Sequence, residues 1–380
     1  MIDGSLVARI DDVASSTGYD LEVSRTCEDP LWDAFVAKTP GGRHFQSSLW
    51  AQVKSELGWE VARVVATGNG AIVAGTQMLI RTIPLFGSIG YASRAPLFAV
   101  DDPALRDLVI SKLCQVAEAW RIQYLVVQPP CNGWHTAEHL LRWGFVASPV
   151  IQVAPLSTVL IDLTQDLDSI LQGMTPRTRQ YIRAGQRNGI RVIEGSKDDI
   201  ATFRRLLATT ASRKKWWVHH EKYHYHMWHV LSPNNHVRLT LAEYRGEVVS
   251  ALLIHPFGEG VYGSTIVSTG CDNNIGASEL LLLDALKWAK AKGHMYFDLG
   301  RVKPDIARKI VTCASSPREF VRGYAFFKLR LGGRPVFCPG AYVYVRNPVL
   351  RLVHNAAVPA ISDSRVFRET LKKIRGFGRS

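Results

Sequence analysis

The sequence predicts an α/β (α+β) protein of two tandem domains, each a mixed, mostly antiparallel sheet with flanking helices. One order of elements, three strand patterns, a helical pattern and a returning strand, occurs in both halves of the chain. The two helix-to-strand junctions are alike, CQVAEAWRIQYLVV in the first half and LDALKWAKAKGHMYFDL in the second. At 380 residues the chain is also long for a single hydrophobic core.

In the first half the patterns predict strands at 60–67, 72–81 and 87–92, a helix at 103–120 and a strand at 123–128. The Gly68-Asn69-Gly70 cluster supplies the first turn. In the second half strands are predicted at 237–244, 247–256 and 260–267, a helix at 278–291 and a strand at 295–299. Arg245-Gly246 and Gly258-Glu259-Gly260 mark the turns between them. Three antiparallel strands, a helix and a returning strand match the core of the acyl-CoA N-acetyltransferase (GNAT) fold. Each half is therefore expected to form one GNAT-like domain: 1–155 with 335–380 packing back on it, and 156–334.

Residues 157–191 open the second half with a strand at Val159 to Leu163 and then a helix. Thr175 is a good N-cap, Pro176 suits the first helical position, and Gly189 stops the helix in a left-handed conformation. Arg179, Arg183 and Arg187 share one face, flanked by Arg177 and Arg191, and no acid within the helix neutralises them. Such a face is suited to an anion. The whole chain is basic, 46 Lys+Arg against 33 Asp+Glu for a net charge of +13. That balance favours nucleic acid, an anionic membrane or phosphorylated substrates as partners. A hydrophobic content of 47% excludes an intrinsically disordered chain.

Cysteines 27, 114, 131, 271, 313 and 338 are scattered with no CxxC pair, and read as reduced, packing cysteines of a cytosolic protein. The first residues, MIDGSLVARIDDV, lack the apolar core of a signal peptide, and no stretch has the roughly 18 apolar residues of a spanning helix. A cytoplasmic location is expected, with peripheral contact at the inner face of the membrane left open. The oligomeric state is not legible. The basic tail SRVFRETLKKIRGFGRS places Arg368, Lys372 and Arg375 on one helical face.

Five segments together resemble the FemAB family, the aminoacyl-tRNA-dependent transferases that build peptidoglycan cross-bridges. FQSSLWAQVKSELGWE (45–60) is similar to that family's Phe/Gln-Ser, Trp and Lys signature, and GYASRAPLF (90–98) to its Tyr-x-x-Arg-Gly-Pro segment. The helix at 174–191 resembles its Thr-Arg-x-x-Ile-Arg helix, ALKWAKAKGHMYFDLGRV (285–302) its late helix, strand and Gly turn, and FFKLRLGG (326–333) its Phe-Lys-x-x-Phe-Gly-Gly motif. Arg94-Ala95-Pro96 and Leu331-Gly332-Gly333 depart from the family's Arg-Gly-Pro and Phe-Gly-Gly. No heptad-rich insertion is present, as in members without a coiled-coil arm, which add the first bridge residue to a soluble nucleotide-linked precursor.

The resemblance implies aminolysis of an ester. An amine on a peptide stem attacks the carbonyl that links an amino acid to the tRNA ribose, with no metal or cofactor. It also implies Lys328 as the cation beside the developing oxyanion, with Phe327 shaping that pocket. Lys54 and Arg213 are then phosphate-contacting residues for a UDP-linked or lipid-linked muropeptide precursor. Tyr91 and Arg94 line the same cleft, and Trp217 belongs to a basic-aromatic cluster with Arg213. Arg177, Arg179, Arg183 and Arg187 become tRNA contacts, since phosphate neutralisation dominates such binding.

Two other functions compete. A CoA-dependent or other FemAB-like N-acyltransferase, acting on a polysaccharide or natural-product peptide, would hold pyrophosphate on backbone amides at the start of the central helix. There the second half has Asn273-Asn274-Ile275-Gly276-Ala277-Ser278, without the basic first position, and the first half has two aspartates in VDDPAL. A non-catalytic RNA-binding protein would use the arginine face alone. His220-Glu221-Lys222-Tyr223-His224 matches the HExxH zinc pattern, but Glu243, the later acid of suitable spacing, falls in a predicted strand. An aromatic and imidazole loop facing substrate is expected there instead.

Overall fold

The computed structural model describes residues 18–85, 87–215, 218–270, 275–312, 324–348 and 351–352. The chain divides into two compact units, Met1–Leu156 with Cys338–Ser380, and Ser157–Phe337.

Unit 1 begins with β1 (Asp20–Ser24), α1 (Pro30–Lys38), α2 (Ser48–Ser55), β2 (Glu60–Gly68), β3 (Ala71–Ile83) and β4 (Gly87–Ser93). It continues with β5 (Leu97–Phe98), α3 (Pro103–Ala119), β6 (Ile122–Gln128), α4 (Trp134–Arg142) and β7 (Val146–Ser148). Asn69 and Gly70, both with positive φ (52° and 76°), make the two-residue turn that lets β2 and β3 pair antiparallel. The Asp102 side chain caps α3 and Pro103 starts it. Leu105, Val109, Leu113 and Val116 then form one buried stripe on α3. The helix carries the chain back so that β6 pairs parallel to β4. Gln46, of the FQSS segment, is a buried clamp. Its amide donates to the carbonyls of Gln77 in β3 and Ser93 in β4, both at 3.0 Å.

Unit 2 begins with β8 (Ser157–Asp162), α5 (Leu167–Gly173), α6 (Pro176–Arg187), β9 (Arg191–Glu194), α7 (Ile200–Lys214), α8 (Glu221–Leu231), β10 (Arg238–Tyr244) and β11 (Glu247–Phe257). It ends with β12 (Gly260–Ser268), α9 (Ala277–Ala291), β13 (Tyr296–Arg301), α10 (Pro304–Thr312), α11 (Tyr324–Leu329) and β14 (Arg334–Phe337). The sheet order is β14-β8-β13-β12-β11-β10-β9. β10, β11 and β12 are antiparallel neighbours, and β13 returns parallel to β12 after α9. Both halves thus show the predicted order of three antiparallel strands, a helix and a parallel returning strand. The predicted helix after β8 is α6, capped by the Thr175 side chain, with Gly189 beyond its end at φ +71°. No helix among the described residues is long and apolar enough to cross a membrane.

The chain then re-enters unit 1 as β15 (Ala341–Val345), which pairs antiparallel with both β6 and β7. The sheet of unit 1 runs β1-β2-β3-β4-β6-β15-β7, with β5 on β3. Cys131, just past β6, and Cys338, just before β15, form a disulfide. The expectation of uniformly reduced cysteines is therefore corrected for this pair. The pairing of β15 with β6 brings together two residues 207 positions apart, which no local spacing signals. Of the others, Cys27 is exposed and free, Cys114 is buried and free, and Cys271 and Cys313 lie outside the described residues.

Closing so long a loop restricts the unfolded chain, and a disulfide of this kind contributes about 2–4 kcal/mol. A Cys131→Ser/Cys338→Ser variant is expected to lose about that much in denaturant unfolding under oxidising conditions. Under reducing conditions it should match the wild type.

Candidate active site

In unit 2 the parallel pair β12–β13 is bonded only at Gly260–Tyr296 and Val261–Phe297, while β12 runs on to Ser268 and β13 to Arg301. In unit 1 the corresponding pair, β4–β6, stays bonded from Ser88 to Ser93. The C-terminal ends of β12 and β13 are thus left unbonded to each other, and in open α/β sheets such ends are where ligands collect.

Lys328 lies beside the end of β13. It sits in the last turn of α11, not on a strand, and its ammonium donates to the Arg301 carbonyl at 3.0 Å. Next to it is Asp298, 2% exposed, which accepts from the Thr158 hydroxyl and from the Gly300 amide. Burial pulls the Lys328 ammonium down from its ordinary 10.5 to about 8, against the opposing pull of the Asp298 carboxylate. Gly300 has φ +82°, and a Cβ there would stand 3.2 Å from Lys328 Nζ. Only glycine gives this turn both its left-handed backbone and room for the ammonium. Phe327 packs against the core of unit 2 and lies 4.7 Å beneath the Arg330 guanidinium, which pairs with buried Glu279 of α9.

Arg213 lies in the last turn of α7, a helix that starts at Ile200. Asp199 folds back on Ser196 and closes a turn ahead of that helix. The Arg213 guanidinium donates to the carbonyl and hydroxyl of Ser268, at the end of β12, and lies against Gly270. Arg213 and Lys328 are therefore tied to the ends of the two strands whose ladder stops early. Trp217 lies outside the described residues.

Lys54, Tyr91 and Arg94 belong to unit 1. Lys54, on α2, is half-buried with its ammonium 5.0 Å over the Trp50 ring, and burial lowers it to about 8. The Lys54 carbonyl accepts from the Trp59 amide, and Trp59 packs edge-on to Tyr91 at 4.9 Å. Lys54, Trp59 and Tyr91 thus form one linked group, joined by a backbone hydrogen bond and a ring contact. Arg94 does not join it. It is 0% exposed, and its guanidinium donates to the Pro155 carbonyl at 2.6 Å, so no part of its side chain is presented at a surface.

The arginine face of α6 is mostly open. Arg177, Arg183 and Arg187 are exposed, and none of them is ion-paired to a carboxylate among the described residues. Arg177 donates to the Tyr181 hydroxyl. Arg179 is different: it donates to the carbonyls of Leu171, Gln172 and Met174 and so caps α5. Arg191, past the helix, pairs with Glu243 at 3.5 Å.

Of the two central helix starts, Asn273 and Asn274, which lead into α9, lie outside the described residues. In unit 1 the Asp102 carboxylate takes the Ala104 amide at 2.8 Å, and Asp101 stands beside it, paired with Arg106. In unit 2 the start of α9 is packed against α6, where a Cβ on Gly276 would fall 2.0 Å from the Tyr181 carbonyl oxygen. Glu279 adds a buried carboxylate to that first turn.

The HExxH residues are used structurally. The expected loop is instead α8, with His220 as its N-cap and Tyr223, Met227 and Leu231 buried at four-residue spacing. His224 is buried beside Phe203 and pushed down to about 4 by burial and by Arg204. Among the described residues no group of histidine, cysteine and carboxylate side chains is placed to hold a metal ion.

Sequence reasoning missed Asp298 and Thr158. The available signal was a carboxylate inside an apolar strand, between Phe297 and Leu299 and two residues before a glycine.

A model of the FemAB family matches residues 28–139 and 148–247. Lipid II:glycine glycyltransferase of Staphylococcus saprophyticus subsp. saprophyticus is 22% identical over 227 residues, 57% of this chain and 54% of that relative. The chain thus spans about half the length of that relative. UDP-N-acetylmuramoylpentapeptide-lysine N(6)-alanyltransferase of Weissella viridescens is 23% identical over 311 residues, 76% of this chain and 90% of that protein. The crystal structure of FemX superposes with a TM-score of 0.74 at 18% identity, covering 87% of this chain and 99% of that one. A tandem GNAT protein from the clavulanic acid biosynthesis pathway superposes with a TM-score of 0.52 at 12% identity, over 87% and 99%. Both likenesses show the fold, two tandem GNAT-like units.

Proposed function

We propose, from the premise that the chain belongs to the FemAB family, that it transfers an amino acid from aminoacyl-tRNA to the amine of a peptidoglycan precursor stem peptide. The new C–N bond forms as the stem amine attacks the ester carbonyl. The C–O bond to the ribose then breaks, and the proton lost by the amine ends on the leaving ribose oxygen. The ester is already activated, so the enzyme has to align the two reactants and stabilise the oxyanion. Lys328 carries this proposal. Its ammonium is half-buried at the end of β13 beside Asp298, a place where a positive charge acts through little water. In unit 2 Arg213 is proposed to contact a phosphate of the acceptor, and in unit 1 Lys54, linked to Tyr91 through Trp59, is proposed to do the same. Arg177, Arg183 and Arg187 are proposed to contact tRNA. The Asp102 carboxylate on the first amides of α3 favours a donor other than coenzyme A in unit 1.

Incubation with charged tRNA and either a UDP-linked or a lipid-linked muropeptide should add one amino-acid residue to the acceptor, read by mass spectrometry. An acceptor of unchanged mass with every aminoacyl-tRNA tried would refute the proposal.

The pH dependence follows from the charged state that is needed. The Lys328 ammonium is intact below about pH 8 and is lost as pH rises through that value. Single-turnover transfer should therefore fall above about pH 8, and a rate that keeps rising to pH 10 would contradict a role for the ammonium. The stability effect has the opposite sign. The folded state carries the cost of burying the charge below pH 8, and that cost lifts between about 8 and 10.5.

A further inference from the structure

One end of unit 1 has a composition that the transfer chemistry does not use. The register places the start of β2, the β3–β4 turn, the junction from α3 into β6 and the exit from β15 at the same end of the sheet: Glu60 pairs with Ile80, Ile83 with Gly87, Ser88 with Ile122, and Val345 with Tyr124. The β3–β4 turn carries Leu85 at its tip, fully exposed at 110%, with positive φ and exposed Pro84 beside it. At the exit from β15, Leu352 is 72% exposed. Half-buried Trp59 and Trp120 flank these apolar tips.

Cations surround them. Arg121 is exposed and not ion-paired among the described residues, Arg81 lies just before the tip, and Arg351 donates to the Val345 carbonyl. Arg25 and Arg346 are there too, partly offset by Glu60 and Glu118. Beyond Leu352 the sequence adds Arg365, Arg368, Lys372, Lys373, Arg375 and Arg379 against Asp363 and Glu369.

We infer that this end of unit 1 docks on an anionic lipid bilayer, with Leu85 entering the acyl boundary and the arginines meeting the headgroups. Bare leucines at loop tips, tryptophans at their base and arginines around them are the layering a membrane interface selects: apolar, amphipathic, then cationic. An RNA surface would need the cations and would gain nothing from a leucine raised clear of the fold. Resting on the proposed function, Lys54 lies at this same end, one turn before Trp59, where a lipid-linked acceptor would present its pyrophosphate at the membrane surface.

The test needs neither donor nor acceptor, so it stands apart from the transfer proposal. The purified full chain is sedimented with vesicles of phosphatidylcholine alone or mixed with phosphatidylglycerol. Binding is expected to the mixed vesicles and to be weakened by salt. Leu85→Glu, at a fully exposed position that leaves folding intact, should lower it by about tenfold. Arg121→Ala should lower it several-fold. Absence of binding to the mixed vesicles would overturn the inference. So would binding that depends on Arg121 but is equal in Leu85→Glu and wild type, since that describes a purely electrostatic surface of the kind RNA uses.

Discussion

Lys328→Ala is expected to slow aminoacyl transfer by about two to three orders of magnitude while leaving acceptor affinity within about twofold, the pattern of a group that acts on the developing oxyanion. The Lys328 ammonium donates to the Arg301 backbone carbonyl and stands beside Asp298. Asp298 keeps its bonds from Thr158 and Gly300, and the fold should survive. Gly300→Ala offers a second route to the same end, because its methyl would crowd Lys328 Nζ and the backbone there is left-handed. Transfer should fall in that variant with Lys328 still present. Single-turnover rates and an acceptor binding isotherm separate the two quantities. Unchanged turnover in Lys328→Ala would remove this residue from the mechanism.

The double variant Arg183→Ala/Arg187→Ala is expected to weaken tRNA binding by about tenfold and to flatten its dependence on salt. Each lost phosphate contact lowers the slope of log affinity against log salt by about 0.7–0.9. The structure sharpens the choice of residues. Arg183 and Arg187 are exposed and unpaired with any carboxylate among the described residues, whereas Arg179 caps α5 and its loss would mix a folding effect with a binding one. Equal affinity and equal salt slope in the variant and the wild type would place the tRNA elsewhere.

Local chemistry made much of the fold readable in advance. Asn69-Gly70 and Arg245-Gly246 each end in a glycine that takes a left-handed backbone readily, and both pairs adopt positive φ in the tight turns of their hairpins. Thr175, Pro176 and Gly189 bounded α6 for the same reason: each satisfies or ends a helix by its own geometry. Long-range features were hidden. The place of β15 between β6 and β7, and the Cys131–Cys338 bond that follows from it, depend on a return across all of unit 2. α8 read as a loop because histidine and tyrosine are weak helix formers, although Tyr223, Met227 and Leu231 already held the helical spacing. At the candidate site, the motif around Lys328 was visible but its surroundings were not. Whether Lys328 faces a buried carboxylate depends on a strand some thirty residues earlier, and Arg94 looked like a ligand-facing cation only until its burial was known.

The central claim is the identity of the donor. Wild-type protein supplied together with tritium-labelled aminoacyl-tRNA, carbon-labelled acetyl-CoA and a muropeptide acceptor should move the amino-acid label, and only that label, onto the stem amine. Movement of the acetyl label instead would contradict the account.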